Sequence, residues 1–139
     1  MSPYSISRRT ALRNAGTGLV LSVAGCLGNS PASQRTVEMT DALTFEPETV
    51  TVAQGGTVTW ENVGSIDHTV TAYEDEIPDS AGYFASGGFD AEQPARRNIE
   101  DGLIAGGETF THTFDTPGRY GYFCIPHESS GITGTIRVE

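Results

Sequence analysis

Cys124 and His127 stand three residues apart near the end of a 139-residue chain, in the run Cys124-Ile125-Pro126-His127. His68 lies far upstream, after Asn62-Val63-Gly64-Ser65-Ile66-Asp67. One thiolate and two imidazoles make a trigonal nitrogen-nitrogen-sulfur set that suits copper: sulfur favours Cu(I), and imidazole serves both oxidation states. Zinc could use the same donors, since three protein ligands and an open position form a common catalytic zinc pattern. The C-x-x-H spacing is weak evidence by itself. A buried structural cysteine beside two unrelated histidines has the same composition.

The second cysteine, Cys26, has a different context. Arg8-Arg9 is a twin arginine, followed by a weakly apolar run from Ala15 to Ala24. That run is too short to span a bilayer, which needs roughly 20 mostly apolar residues. Val23-Ala24-Gly25-Cys26 then has the form of a lipobox, in which the cysteine accepts lipid and becomes the new N-terminus. Residues 1–25 are therefore expected to be an export signal, and residues 26–35 a lipidated cysteine with a polar tether broken by Pro31. If Cys26 carries lipid, Cys124 is left unpaired. An unpaired thiol in an exported protein is open to oxidation unless a metal occupies it.

The donors need a scaffold, and the pattern from Thr36 onward is that of strands. Val50 and Val52 alternate with Thr49 and Thr51, and Val58 and Trp60 with Thr57 and Thr59. Phe110, His112 and Phe114 share one face; so do Tyr120, Tyr122 and Cys124, and again Ile136 and Val138. Turn signals fall at Gln54-Gly55-Gly56, Gly106-Gly107 and Pro117-Gly118. Period two with such turns predicts half-buried antiparallel sheet. A second sheet must cover the apolar face, so an all-β sandwich is expected over residues 36–139. The stretch 74–104 breaks the pattern with Pro78, Gly87-Gly88 and Pro94, and reads as a long excursion. Only Ala91 to Asn98 is suited to a short helix.

Charge narrows the choice of partners. Beyond the signal there are five Arg, no Lys and eighteen acidic residues, a formal balance of −13. Such a surface repels nucleic acid and bare anionic lipid. It resembles the surfaces of proteins from salt-loving archaea, where salt screens the repulsion. An acidic patch that steers a basic redox partner gives the same composition.

From Thr36 to Glu139 the sequence resembles plastocyanin-like cupredoxins, and among them the haloarchaeal halocyanins. Phe45-Glu46-Pro47, Val50, Val52, Gly55, Val58, Trp60 and Asn62 match the early strands, and Asp67-His68-Thr69-Val70 the first ligand. Tyr83-Phe84-Ala85-Ser86-Gly87-Gly88-Phe89-Asp90 looks like the halocyanin-type insertion, and Pro117 to Glu128 like the ligand loop. The resemblance implies an eight-stranded, two-sheet Greek-key β-sandwich. It also implies one type 1 (blue) copper bound by His68, Cys124 and His127, cycling between Cu(II) and Cu(I). A monomeric, lipid-anchored electron carrier on the outer face of the cytoplasmic membrane is then expected, working with redox partner proteins.

One position departs from the family. Its axial methionine, eight residues after the cysteine, is here Ile132 within Ser130-Gly131-Ile132-Thr133-Gly134. Isoleucine cannot ligate, which leaves a trigonal site of raised potential or a weak donor such as the Asp67 carbonyl. Met39 is expected in the core, His112 half-buried on its strand, and Glu128 directed to solvent. Pro126 removes one possible N–H donor to the sulfur, and Thr69 is placed to bond across to the ligand loop. Phe123 replaces a tyrosine of plastocyanins, so electron exit is expected at His127. The chain has three histidines, two of them committed, so a second copper centre and an enzymatic role are not expected.

Overall fold

A computed structural model describes residues 32–139; the expected signal, residues 1–25, and Cys26 lie outside it. Eight strands form two four-stranded sheets: β1 (Gln34–Met39), β2 (Phe45–Glu46), β3 (Thr49–Val52), β4 (Gly56–Asn62), β5 (Thr71–Ala72), β6 (Thr109–Phe114), β7 (Gly118–Phe123) and β8 (Thr133–Val138). Their orders are β2-β1-β4-β6 and β3-β8-β7-β5. The antiparallel expectation needs correction, because each sheet is mixed. β1 runs parallel to β4, and β3 parallel to β8. After the β1–β2 turn the chain crosses to the second sheet as β3, then returns beside β1 as β4 in the same direction. β1 also starts earlier than the tether reading allowed, since Gln34 and Arg35 pair with Thr57 and Val58.

The alternation read from the sequence is the alternation of burial. Val37, Met39, Val58, Trp60 and Phe114 of one sheet meet Val50, Val52, Tyr120, Tyr122, Ile136 and Val138 of the other. Trp60 is the hub, with its ring 5.3 Å from Tyr122 at 82° and 5.6 Å from Phe110. His112 is half-buried as expected, 4.8 Å from Phe84 in a near-parallel stack.

The connection from β5 to β6 is the expected excursion, and it covers an open sheet edge. Ala72 donates to the Phe84 carbonyl at 3.1 Å and Ser86 to that of Val70 at 2.7 Å, so this segment runs along β5. Phe84 then stacks on Trp60 at 6.0 Å. A short helix, α1 (Glu92–Arg97), lies within the predicted window. Ala91 supplies no side-chain cap, and the Glu74 carboxylate takes that role by accepting the Glu92 N–H at 2.8 Å. Pro94 falls in the first turn, where an N–H has no helical partner to lose. Asn98 ends the helix, its side-chain amide donating to the Pro94 carbonyl at 2.8 Å.

Candidate metal centre

His68 is held by backbone. Its N–H donates to the Ile104 carbonyl at 3.2 Å, and the Ile104 N–H donates back at 2.7 Å, an isolated bridge at the end of the excursion. Asn62, at the end of β4, fixes the preceding loop. Its amide donates to the carbonyls of Ile66 at 2.7 Å and Ile104 at 2.9 Å, while its oxygen accepts the Gly64 N–H at 3.0 Å. Asp41 holds the same loop from the β1–β2 turn, accepting the N–H groups of Ser65 at 2.8 Å and Ile66 at 3.0 Å. The imidazole itself is fully buried. Burial pushes its pKa down and the adjacent His127 adds to this. Its Nε2 has no hydrogen-bond partner among the described residues.

Of the other two donors, Cys124 stands just before and His127 lies within a loop of 3-10 turns, Ile125–Ser130, between β7 and β8. The loop closes at both ends: Cys124 N–H donates to the Ile132 carbonyl at 3.2 Å, and Gly131 N–H to that of Glu128 at 2.9 Å. Gly131 has φ 83°, a left-handed cap that glycine adopts without steric cost. Thr69 ties the loop to the first ligand, as the sequence suggested. Its hydroxyl accepts the Ile125 N–H at 2.8 Å, and its own N–H donates to Cys124 Sγ at 3.3 Å. Pro126 offers no N–H. Burial pushes the Cys124 thiol up, and the N–H groups of Thr69 and His127 pull the other way.

The ligand atoms of His68, Cys124 and His127 lie within 4.8 Å of one another, the one such cluster among the described residues. His68 Nδ1 is 3.7 Å from Cys124 Sγ. Bonds of about 2.0 Å to imidazole and 2.3 Å to thiolate would meet at roughly 120° across that gap, so a trigonal metal fits. The His127 ring stands 5.3 Å from that of His68, and its Nε2 is 3.2 Å from the Asp67 carbonyl. An Nε2–H donating there leaves Nδ1 free for a metal. A copper ion bound here would gain a one-electron couple from this donor set; the chain buries His68 and Cys124 and leaves His127 partly open to solvent.

Ile132 is 2% exposed at the end of the loop, and Met39 is fully buried in the core. Glu128 corrects the expectation of a solvent-facing carboxylate: it accepts from Tyr73 Oη at 2.9 Å and from Arg96 at 2.8 Å. A guanidinium and a phenol on the excursion draw it inward, and Arg96 holds its carboxyl below the usual range. Phe123 is fully buried, stacked on Tyr73 at 4.2 Å. Sequence reasoning missed Asp41, Tyr73, Glu74, Glu92 and Arg96. None has a spacing to the ligands that would mark it.

A buried cysteine and two imidazoles at one end of a two-sheet β-sandwich have the donor set of a type 1 copper protein. Residues 32–139 match the copper binding proteins of the plastocyanin/azurin family, and the chain belongs to that family. A plastocyanin from Scenedesmus fuscus is 44% identical over 98 residues, covering 70% of this chain and 89% of the relative. The chloroplastic plastocyanin of Tetradesmus obliquus is 33% identical over 147 aligned positions, covering 100% of this chain and 94% of the relative. The oxidised plastocyanin structure from Dryopteris crassirhizoma superposes with TM-score 0.54 at 26% identity, over 75% of this chain and 99% of that one. Copper, not zinc, is thus the metal, and single-electron transfer the function.

Proposed function

We propose that this protein is an exported, lipid-anchored electron carrier whose copper has no methionine ligand and a raised reduction potential. The observation that carries the reading is Ile132, buried at the close of the ligand loop where the family's axial thioether is expected. A thioether donates electron density and stabilises Cu(II); isoleucine has no lone pair and excludes water. The trigonal His68, Cys124 and His127 set then favours Cu(I), and axial identity is a recognised tuner of potential. The Asp67 carbonyl is the competing donor, and its approach to His127 Nε2 engages it elsewhere. Replacing Ile132 with Met tests this: the potential falls at fixed pH and salt, and no change or a rise defeats the axial argument.

The anchor reading rests on Arg8-Arg9 and on Val23-Ala24-Gly25-Cys26. A halocyanin-like carrier on the outer membrane face accounts for both, and the acidic, Lys-free composition fits the same setting. One acyl chain binds a membrane only marginally, so a diether-type lipid is required. Cys26→Ser releases the protein to the medium or leaves it unprocessed; mature protein still pelleting with membranes defeats the anchor. Electrons leave through the His127 edge toward redox partner proteins, next to exposed Pro126 in the chain.

A further inference from the structure

Arg96 touches no ligand, yet it grips the ligand loop and the residue before it. Its Nη1 and Nη2 donate to the two carboxylate oxygens of Glu128 at 2.8 and 3.2 Å, a fork on the residue that follows His127. Its guanidinium carbon lies 4.4 Å from the ring centre of Phe123, the residue before Cys124. On the other side Arg96 Nε donates to Glu92 at 2.8 Å, within α1. Glu92 and Glu74 accept each other's backbone N–H at 2.9 and 2.8 Å, which fastens α1 to the turn after β5. Tyr73, next to that turn, stacks on Phe123 and donates to Glu128. The excursion and the residue that opens it therefore reach the ligand loop through one cation and one phenol.

This matters because the loop's own backbone bonds are short in range, and His127 is its irregular member at φ −122°, ψ 16°. A bidentate arginine–carboxylate pair is among the stronger side-chain contacts and fixes direction as well as distance. We propose that Arg96 is a positioning residue for the metal site: by holding Glu128 it fixes the loop between Cys124 and Gly131 in its ligating conformation before metal arrives. The inference uses the copper reading only for its second measurement.

The first measurement is amide hydrogen exchange on the metal-free, full-length chain, comparing wild type with Arg96→Gln and Glu128→Gln. The N–H groups of His127 and Gly131, which donate to Cys124 and Glu128 carbonyls, exchange about tenfold faster in both variants, the local opening expected on losing such a pair. The N–H groups of Thr135 and Glu139, bonded to Glu48 and Val52, are unchanged. Unchanged loop amides, or equal acceleration at all four, overturn the proposal. The second measurement is the rate of copper release to a chelator. Positioning predicts faster release from both variants. A simple charge effect predicts opposite signs, because Arg96→Gln removes a positive charge and Glu128→Gln a negative one; opposite signs overturn the proposal.

Discussion

The backbone of His68 is bonded on both sides to Ile104, at 3.2 and 2.7 Å, while the backbone from Cys124 to Gly131 bonds within its own turns and to Ile132. The first ligand is therefore fixed by chain topology, with Asn62 buried beneath it. The loop that carries the other two donors is fixed by side chains: the Thr69 hydroxyl, the Tyr73 phenol and the Arg96 fork. Backbone bridges change only when the fold changes, whereas side-chain ties change one residue at a time. The difference locates where a family with one fold can adjust its copper site. The adjustable half is the ligand loop together with the excursion that leans on it.

Three substitutions probe that contrast. Asn62→Ala has the largest effect, because it removes three bonds that order the His68 loop, those to the Ile66 and Ile104 carbonyls and from the Gly64 N–H. A loss of about 2–3 kcal/mol is expected in denaturant unfolding of the metal-free protein. A loss well under 1 kcal/mol would show that the topology does not depend on this residue. Thr69→Val is nearly isosteric and removes the acceptor of the Ile125 N–H. It should cost about 1 kcal/mol of stability. Copper release should speed up more than in Asn62→Ala variants still folded, since the loop is what loosens. Release faster from Asn62→Ala would reverse the comparison.

Asp41→Asn is the smallest and is read in pH. The Ile66 and Ser65 N–H groups hold the Asp41 carboxyl below its ordinary value of 3.8. A depressed folded value means that the stabilisation is present above that ordinary value and is lost as pH falls through the lowered one. The Asn variant should therefore show a shallower loss of stability below about pH 4. An unchanged acid limb would mean that the exposed Asp41 does not hold the His68 loop.

Much of this architecture is visible in the sequence, and the exceptions share a cause. Alternation at Val50/Val52 and Val58/Trp60 reports which face a residue buries, and those residues are buried as expected. It carries no information on strand direction, so the parallel β1–β4 and β3–β8 pairs were not legible. Cys124, His127 and His68 were legible because metal ligation restricts residue type. Arg96 and Glu128 are separated by 32 positions and belong to types common on any acidic surface. Their pairing exists only once the excursion has folded back over Phe123.

One spectrum tests the copper site most directly. The full-length protein loaded with Cu(II) should absorb intensely in the visible, through charge transfer from the Cys124 thiolate, and bleach on uptake of one electron per chain. Cys124→Ser should fold and lose that band. A pale Cu(II) spectrum in the wild type, or a strong band that survives Cys124→Ser, would contradict the assignment of His68, Cys124 and His127 as a type 1 copper site.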